Sequence, residues 1–153
     1  MVNHNRNQEE KKKIRYHDQN LFLPDSRLSY KPAPGKKVRD IFYYGDELIY
    51  DVYYTTDRYS RRITPVANSA ERNKYALFFG CSHVFGEGLA DNQTLPYFFG
   101  RFQKDYASYN YGFMGYGPQQ TLMKLHCGSI KEEIPEKKGI AFFCYLGPWH
   151  VYR

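Results

Sequence analysis

The rhythm of apolar and polar positions changes near residue 70. Before it, "VRDIFYYGDELIYDVYYTTD", from Val38, sets two aromatic and β-branched runs around Tyr44-Gly45-Asp46-Glu47. Such runs predict strands, and the glycine between them predicts the tight turn of a β-hairpin. "LFLPDSRLSYKPAPG", 21–35, carries three prolines and a glycine and reads as an extended segment lying across something. Residues 1–20 are charged and aperiodic, which predicts a frayed arm. "PVANSAERNK", 65–74, reads as a polar connector.

After the connector the apolar runs lengthen. "KYALFFG", 74–80, is continuous, as a buried parallel strand would be. "TLPYFFGRFQKDY" predicts a helix with Thr94 as N-cap and Pro96 in its tolerant first turn. "YASYNYGF" predicts a second strand. "GPQQTLMKLHCGSIKEE" predicts a second helix with Leu122, Leu125 and, less regularly, Ile130 on one side. "PEKKG" is a turn, and "IAFFCYLG", 140–147, predicts a third buried strand. The order β-α-β-α-β predicts an α/β layer fold with a parallel sheet. The chain thus divides into a polar arm and proline-rich segment (1–37), a hairpin and connector (38–70) and an α/β portion (71–153). Three strands are few for a doubly wound sheet, whose edges need cover, so the α/β domain is expected to be incomplete here and to continue in a longer protein.

At 153 residues the chain has the size of one ordinary domain. Its formal charge is +6, but the excess is local: "KKKIR" at 11–15, "KK" at 36–37 and "RRI" at 61–63. That predicts solvated termini and turns rather than a nucleic-acid stripe. Cys81, Cys127 and Cys144 form no C-x-x-C pair, which argues against zinc and a disulfide framework, and no metal or other cofactor is expected. No apolar segment approaches the ~20 residues of a membrane span. "MVNHNRNQEEKKK" has no signal-peptide core, and the compartment stays open. So does the oligomeric state. Sixteen tyrosines and eleven phenylalanines suit the faces of sugars, and equally suit a core.

The candidate chemistry lies where the first apolar run stops at Gly80-Cys81-Ser82. In open α/β sheets, ligands sit beyond the carboxyl ends of the strands. Ser82 follows the first strand of the layer, Gly112, Gly115 and Gly117 follow the second, and "GPWH", 147–150, follows the third. A serine that attacks a carbonyl needs an exposed oxygen on a rigid element and backbone N–H groups to hold the oxyanion. Glycines let backbone approach a ligand closely. A serine at such a junction also serves simply as a turn residue or helix N-cap. Val84 breaks the G-x-S-x-G elbow, and neither the phosphate loop nor G-x-G-x-x-G occurs.

"FFGCSHVFGEGLADNQTLPYFF" resembles block I of the SGNH/GDSL-type hydrolases, in the form of a bacterial branch with Cys in place of Asp. "NYGFMGYGPQQ" resembles their block II, and "YDVYYTTDRYSRR" resembles the segment that precedes block I in that branch. The similarity covers about 45–153 and is best over 76–120. The resemblance implies a three-layer α/β/α, flavodoxin-like fold with the hairpin as an N-terminal extension. It implies a serine esterase or acyl hydrolase with Ser82 as nucleophile. The N–H groups of Ser82 and Gly115 would be oxyanion donors, and Gly80, Asn110 and Gly112 would shape the loops. Two departures stand out. Trp149 occupies the place of the family's oxyanion asparagine, with His150 beside it as the other candidate third donor. No late Asp-x-x-His follows, so this chain would carry only the nucleophile and oxyanion half of the site and be inactive alone. His83 adjoins Ser82, but neighbouring side chains on an extended segment diverge; His126 reads as a surface or packing residue. The implied substrate is a small-molecule or saccharide ester, for example an O-acylated sugar. The alternatives are a catalytically inactive carbohydrate-binding or structural module, and an anion binder using helix N-termini.

Overall fold

The computed structural model of the chain describes residues 13–17, 19–67, 69–127 and 130–147. Its first third is antiparallel. Strands β1 (Lys13–His17), β4 (Lys37–Tyr44) and β5 (Glu47–Thr55) form one sheet in the order β1-β4-β5. The β4–β5 hairpin turns at Gly45, whose φ of +62° explains the glycine. The proline-rich stretch is itself a hairpin, β2 (Phe22–Asp25) against β3 (Ser29–Pro32), where a single extended segment was expected. Asp25 makes the turn: its Oδ1 accepts the N–H groups of Arg27 and Leu28, both at 3.0 Å. Part of the expected frayed arm is ordered as β1, because Arg15 reaches across to Asp40 with bonds of 3.0 and 2.6 Å.

The second part holds a parallel sheet in the order β7-β6-β8, formed by β6 (Lys74–Phe79), β7 (Tyr106–Asn110) and β8 (Lys138–Phe143). Strand β6 is central, and its continuous apolar run serves two faces, as side-chain alternation requires. Ala76 and Phe78 pack with Val84, Phe99 and Tyr106; Leu77 and Phe79 pack with Tyr111, Ile130 and Ile134. The helices are α1 (Ser82–Phe85), α2 (Leu95–Phe102), α3 (Pro118–His126) and α4 (Ile130–Glu133). Thr94 caps α2 by accepting the Tyr97 N–H at 3.3 Å, with Pro96 in the first turn.

The three-layer, flavodoxin-like arrangement is not what forms. Among the described residues only three of eight strands lie in the parallel sheet, and the other five pair antiparallel. The helices run four to nine residues. A four-residue helix spans about 6 Å, too little to make a layer over strands about 20 Å long. Strand β8, expected to be buried, is exposed along all six residues, whereas β7, the sheet's other edge, is mostly buried. Leu122 and Leu125 are likewise exposed. The largest departure concerns charge: Arg61 and Arg62, expected on a solvated turn, are 7% and 1% exposed.

The two parts share one core. Leu21, Val38 and Tyr54 from the antiparallel part meet Phe85, Phe113 and Tyr116 from the loops beyond β6 and β7. Much of the aromatic surplus therefore fills the seam, with Tyr54, Phe22 and Phe113 rings 4.8–5.5 Å from their aromatic neighbours. That seam brings the antiparallel strands to the carboxyl end of the parallel sheet.

Candidate functional site

Three chain segments meet at this end. Beyond β6 the chain passes through Gly80, whose φ is +150°. A Cβ there would lie 2.6 Å from the Val84 side chain and 3.2 Å from the Cys144 carbonyl, so only glycine fits between α1 and the end of β8. Cys81 then enters α1 in extended conformation, and Ser82 is the first helical residue, partly buried. The loop beyond β7 is bonded to this junction: the Phe113 N–H donates to the Gly80 carbonyl at 3.1 Å, and the Tyr111 N–H to that of Phe78 at 2.8 Å. From the β8 side, the Cys144 N–H donates to the Phe79 carbonyl at 2.9 Å.

Asn110 ties the two glycine loops together. It is fully buried, and its Nδ2 donates to the Val84 carbonyl at 2.9 Å, an orphan acceptor at the end of α1. Its Oδ1 accepts the Gly112 N–H at 3.0 Å. Gly112 lies so close under α1 that a Cβ would sit 2.7 Å from both the Phe85 nitrogen and the Val84 Cβ. Hydrogen bonds thus join Asn110 to Gly112 and to the end of α1, the helix that Ser82 opens, and join the same loop to the Gly80 carbonyl. Gly115 stands a little apart on the same loop, at φ +75°, and a side chain there would collide with the Tyr30 hydroxyl. That hydroxyl donates to the Met114 carbonyl at 2.9 Å, while the Tyr116 hydroxyl donates to the Tyr30 carbonyl at 2.8 Å. The β2–β3 hairpin is therefore fastened onto the loop that carries Gly115. Trp149 and His150 lie outside the described residues.

The first N–H groups of a helix have no acceptor within it, which leaves those of Ser82 and His83 facing out of the end of α1. Among the described residues no side chain hydrogen-bonds to the Ser82 hydroxyl. The His83 ring turns elsewhere, with Nδ1 3.5 Å from the buried Cys81 sulfur. His126 ends α3 and is exposed. Cys144 is near enough to Cys81 for the two thiols to interact: burial pushes the Cys144 thiol up from its ordinary value, and Cys81 adds to that. Among the described residues no group of three or more His, Cys, Asp or Glu is placed to hold a metal ion.

Residues outside the two blocks brace this junction. Arg62 donates to the carbonyls of Phe85 (2.7 Å), Gly86 (2.6 Å) and Leu89 (2.5 Å) and pairs with Asp91 at 3.1 Å. Its guanidinium stacks on Tyr54 and Phe85. Asp40 receives Arg15, Tyr50 and Tyr54, and the Tyr54 hydroxyl in turn accepts the Gly88 N–H at 2.8 Å. Burial pushes the Tyr50 phenol up to about 12 and the Tyr54 phenol up too, so both remain hydroxyl donors. A third brace is the pairing of Arg15 with Glu87. The loop after α1 is therefore held on the antiparallel side by charges that the sequence pattern assigned to solvent.

No protein-family model matches the chain, and no curated protein matches it. Among the described residues no helix is long and apolar enough to cross a membrane.

Proposed function

We propose that the chain carries the nucleophile and oxyanion elements of a serine ester hydrolase of the SGNH/GDSL kind. Ser82 attacks the ester carbonyl, its Oγ forms the acyl-enzyme as the alcohol leaves, and water then releases the acid. The N–H groups of Ser82 and Gly115 receive the oxyanion, and the ester is borne by a small molecule or saccharide. One observation carries the reading. Ser82 opens a helix at the carboxyl end of a central parallel strand, and the glycine loop of the neighbouring strand is hydrogen-bonded to that junction. A fluorophosphonate probe tests it on the intact protein: labelling of wild type and none of Ser82→Ala supports it, and equal labelling of both removes Ser82 from the role.

A second reading is a module that binds a saccharide without cleaving it. The turning of His83 toward Cys81, with no described side chain bonded to the Ser82 hydroxyl, favours it, since an unactivated serine is a poor nucleophile. It requires saccharide binding with no hydrolysis of p-nitrophenyl acetate; hydrolysis that depends on Ser82 eliminates it.

A further inference from the structure

Next to this junction, but not lined by Ser82, lies a cleft of about 340 Å³ between the β2–β3 hairpin, the turn 57–61 and α3. Its size is at the low end of the ~300–1,000 Å³ of small-molecule sites, enough for a ring or two and too small for a polymer. Buried Phe79, Tyr111 and Tyr116 give it an aromatic wall. The tyrosine rings are locked: the Tyr111 hydroxyl donates to Glu133 at 2.8 Å, and that of Tyr116 to the Tyr30 carbonyl.

The charge in the cleft is unbalanced in a specific way. Four cations line it against two carboxylates. Both lysines are already paired, Lys31 with Asp25 at 3.1 Å and Lys124 with Glu133 at 2.6 Å. Arg27 and Arg58 have no carboxylate partner among the described residues. Each arginine sits in a turn built by an aspartate. Asp25 accepts the N–H groups of Arg27 and Leu28; Asp57 accepts those of Tyr59 (2.8 Å) and Arg61 (3.0 Å). Each turn includes a serine in the left-handed region, Ser29 at φ +68° and Ser60 at φ +64°. That conformation is strained for a non-glycine residue and persists where surrounding bonds enforce it. Two separately braced turns thus bring to one aromatic cleft two guanidinium side chains without a carboxylate partner among the described residues, although Arg58 also donates to the Tyr59 hydroxyl at 2.8 Å and lies over its ring.

We propose that this cleft binds a sugar-sized ring bearing one anionic group, a carboxylate or a phosphate ester, with Arg27 and Arg58 receiving the anion and Tyr111 and Tyr116 the ring. Guanidinium forks match both anions in pairs of hydrogen bonds. Fixed tyrosines add apolar area and hydroxyl contacts with little further loss of freedom. Occupancy is independent of Ser82, so the site stands or falls apart from the hydrolase reading.

Calorimetric titration of the whole chain tests it with glucuronic acid, glucose 6-phosphate, glucose and inorganic phosphate. At least one acidic sugar is expected to bind at least tenfold more tightly than either glucose or phosphate, and the two acidic sugars tell carboxylate from phosphate ester. Arg27→Ala with Arg58→Ala should weaken that binding tenfold or more at an unchanged melting temperature. Arg58→Glu alone, at an exposed position, should act in the same direction, and Ser82→Ala should bind as wild type does. No measurable binding of either acidic sugar overturns the proposal. So does equal binding of glucose or of phosphate alone, or an affinity untouched by the arginine substitutions.

Discussion

Strand β6 buries its residues by apolar packing alone, whereas the antiparallel sheet beside it adds a buried charged network to its apolar core. Between its two faces, β6 hides Ala76, Leu77, Phe78 and Phe79, all apolar, against further apolar side chains. The antiparallel side hides Asp40 and Tyr54, and against Tyr54 lies Arg62, at 1% exposure the largest fully buried side chain described. The first kind of burial needs bulk and tolerates exchange of one apolar shape for another. The second needs particular partners, because a buried charge left unmatched is costly. The difference bears on the candidate site, since α1 stands on β6 while the loop after it hangs from Arg62 and Tyr54.

The sharpest way to break this contrast is a pair of methionine substitutions. Arg62→Met keeps length and apolar stem but strips three carbonyls and Asp91 of their donor. It is expected to cost about 3–5 kcal/mol, as removal of one member of a buried charged network does. Leu77→Met on β6 is expected to cost less than about 1.5 kcal/mol. Urea denaturation of the two variants decides it, and equal losses would mean that the two regions do not differ as described.

Asp40 supplies the next largest effect and a pH signature. Burial raises its carboxyl, but the bonds from Arg15 and Tyr54 outweigh that, so it is held below the ordinary carboxylate range. The unfolded chain therefore takes up this proton at higher pH than the folded one. The resulting stability is fully present above the unfolded value, about 3.9, and is lost as pH falls through the lowered folded value. Asp40→Asn is expected to cost about 1.5–3 kcal/mol at neutral pH, in line with hydrogen bonds to a charged group. The gap from wild type should close in the acid limb of a stability profile. A constant gap down to pH 2 would show that the charge itself contributes nothing.

The same contrast explains what could be read from the sequence. Strand β6 was legible because its signal is local: a short apolar run bounded by Lys74 and Gly80. The cap at Thr94 and the turn at Gly45 were legible for a like reason, since glycines and capping residues mark their own conformations. Arg62 was not legible. It satisfies carbonyls more than twenty residues away, and "RRI" in isolation reads as a solvated turn because arginine is rarely buried unless paired. Tyr30 was missed because its partner Met114 is 84 residues distant. The layer fold failed at the edges: nothing in "IAFFCYLG" distinguishes a central strand from an exposed edge strand, and periodicity alone does not reveal how short α1 and α4 are.

Gly112 tests the joint between the two blocks. An alanine Cβ would meet backbone at Phe85 as well as the Val84 side chain, and backbone cannot swing aside. Gly112→Ala is expected to cost about 1–3 kcal/mol by overpacking. It should also lower fluorophosphonate labelling of Ser82, because α1 must move to make room. Gly35→Ala is the matched control. It has a positive φ of +63° and open space for a Cβ, so it should cost only the backbone strain of about 1–2 kcal/mol and leave labelling unchanged. Labelling reduced equally by both would indicate general destabilisation rather than a displaced α1.

The smallest expected effect falls on α3. Its Leu122 and Leu125 fall on one side in the sequence pattern, and the two side chains are 66% and 50% exposed. A position this open, away from caps and paired charges, changes stability within about 0.5 kcal/mol on substitution. Leu122→Glu should therefore denature at nearly the wild-type urea midpoint, in contrast to any substitution at Arg62. A loss above about 2 kcal/mol would instead mean that Leu122 is covered in solution by apolar surface, since that is the scale of burying one leucine side chain. The apolar side of α3 would then join β6 in being held by bulk, and the division between the two regions would have to be redrawn through α3.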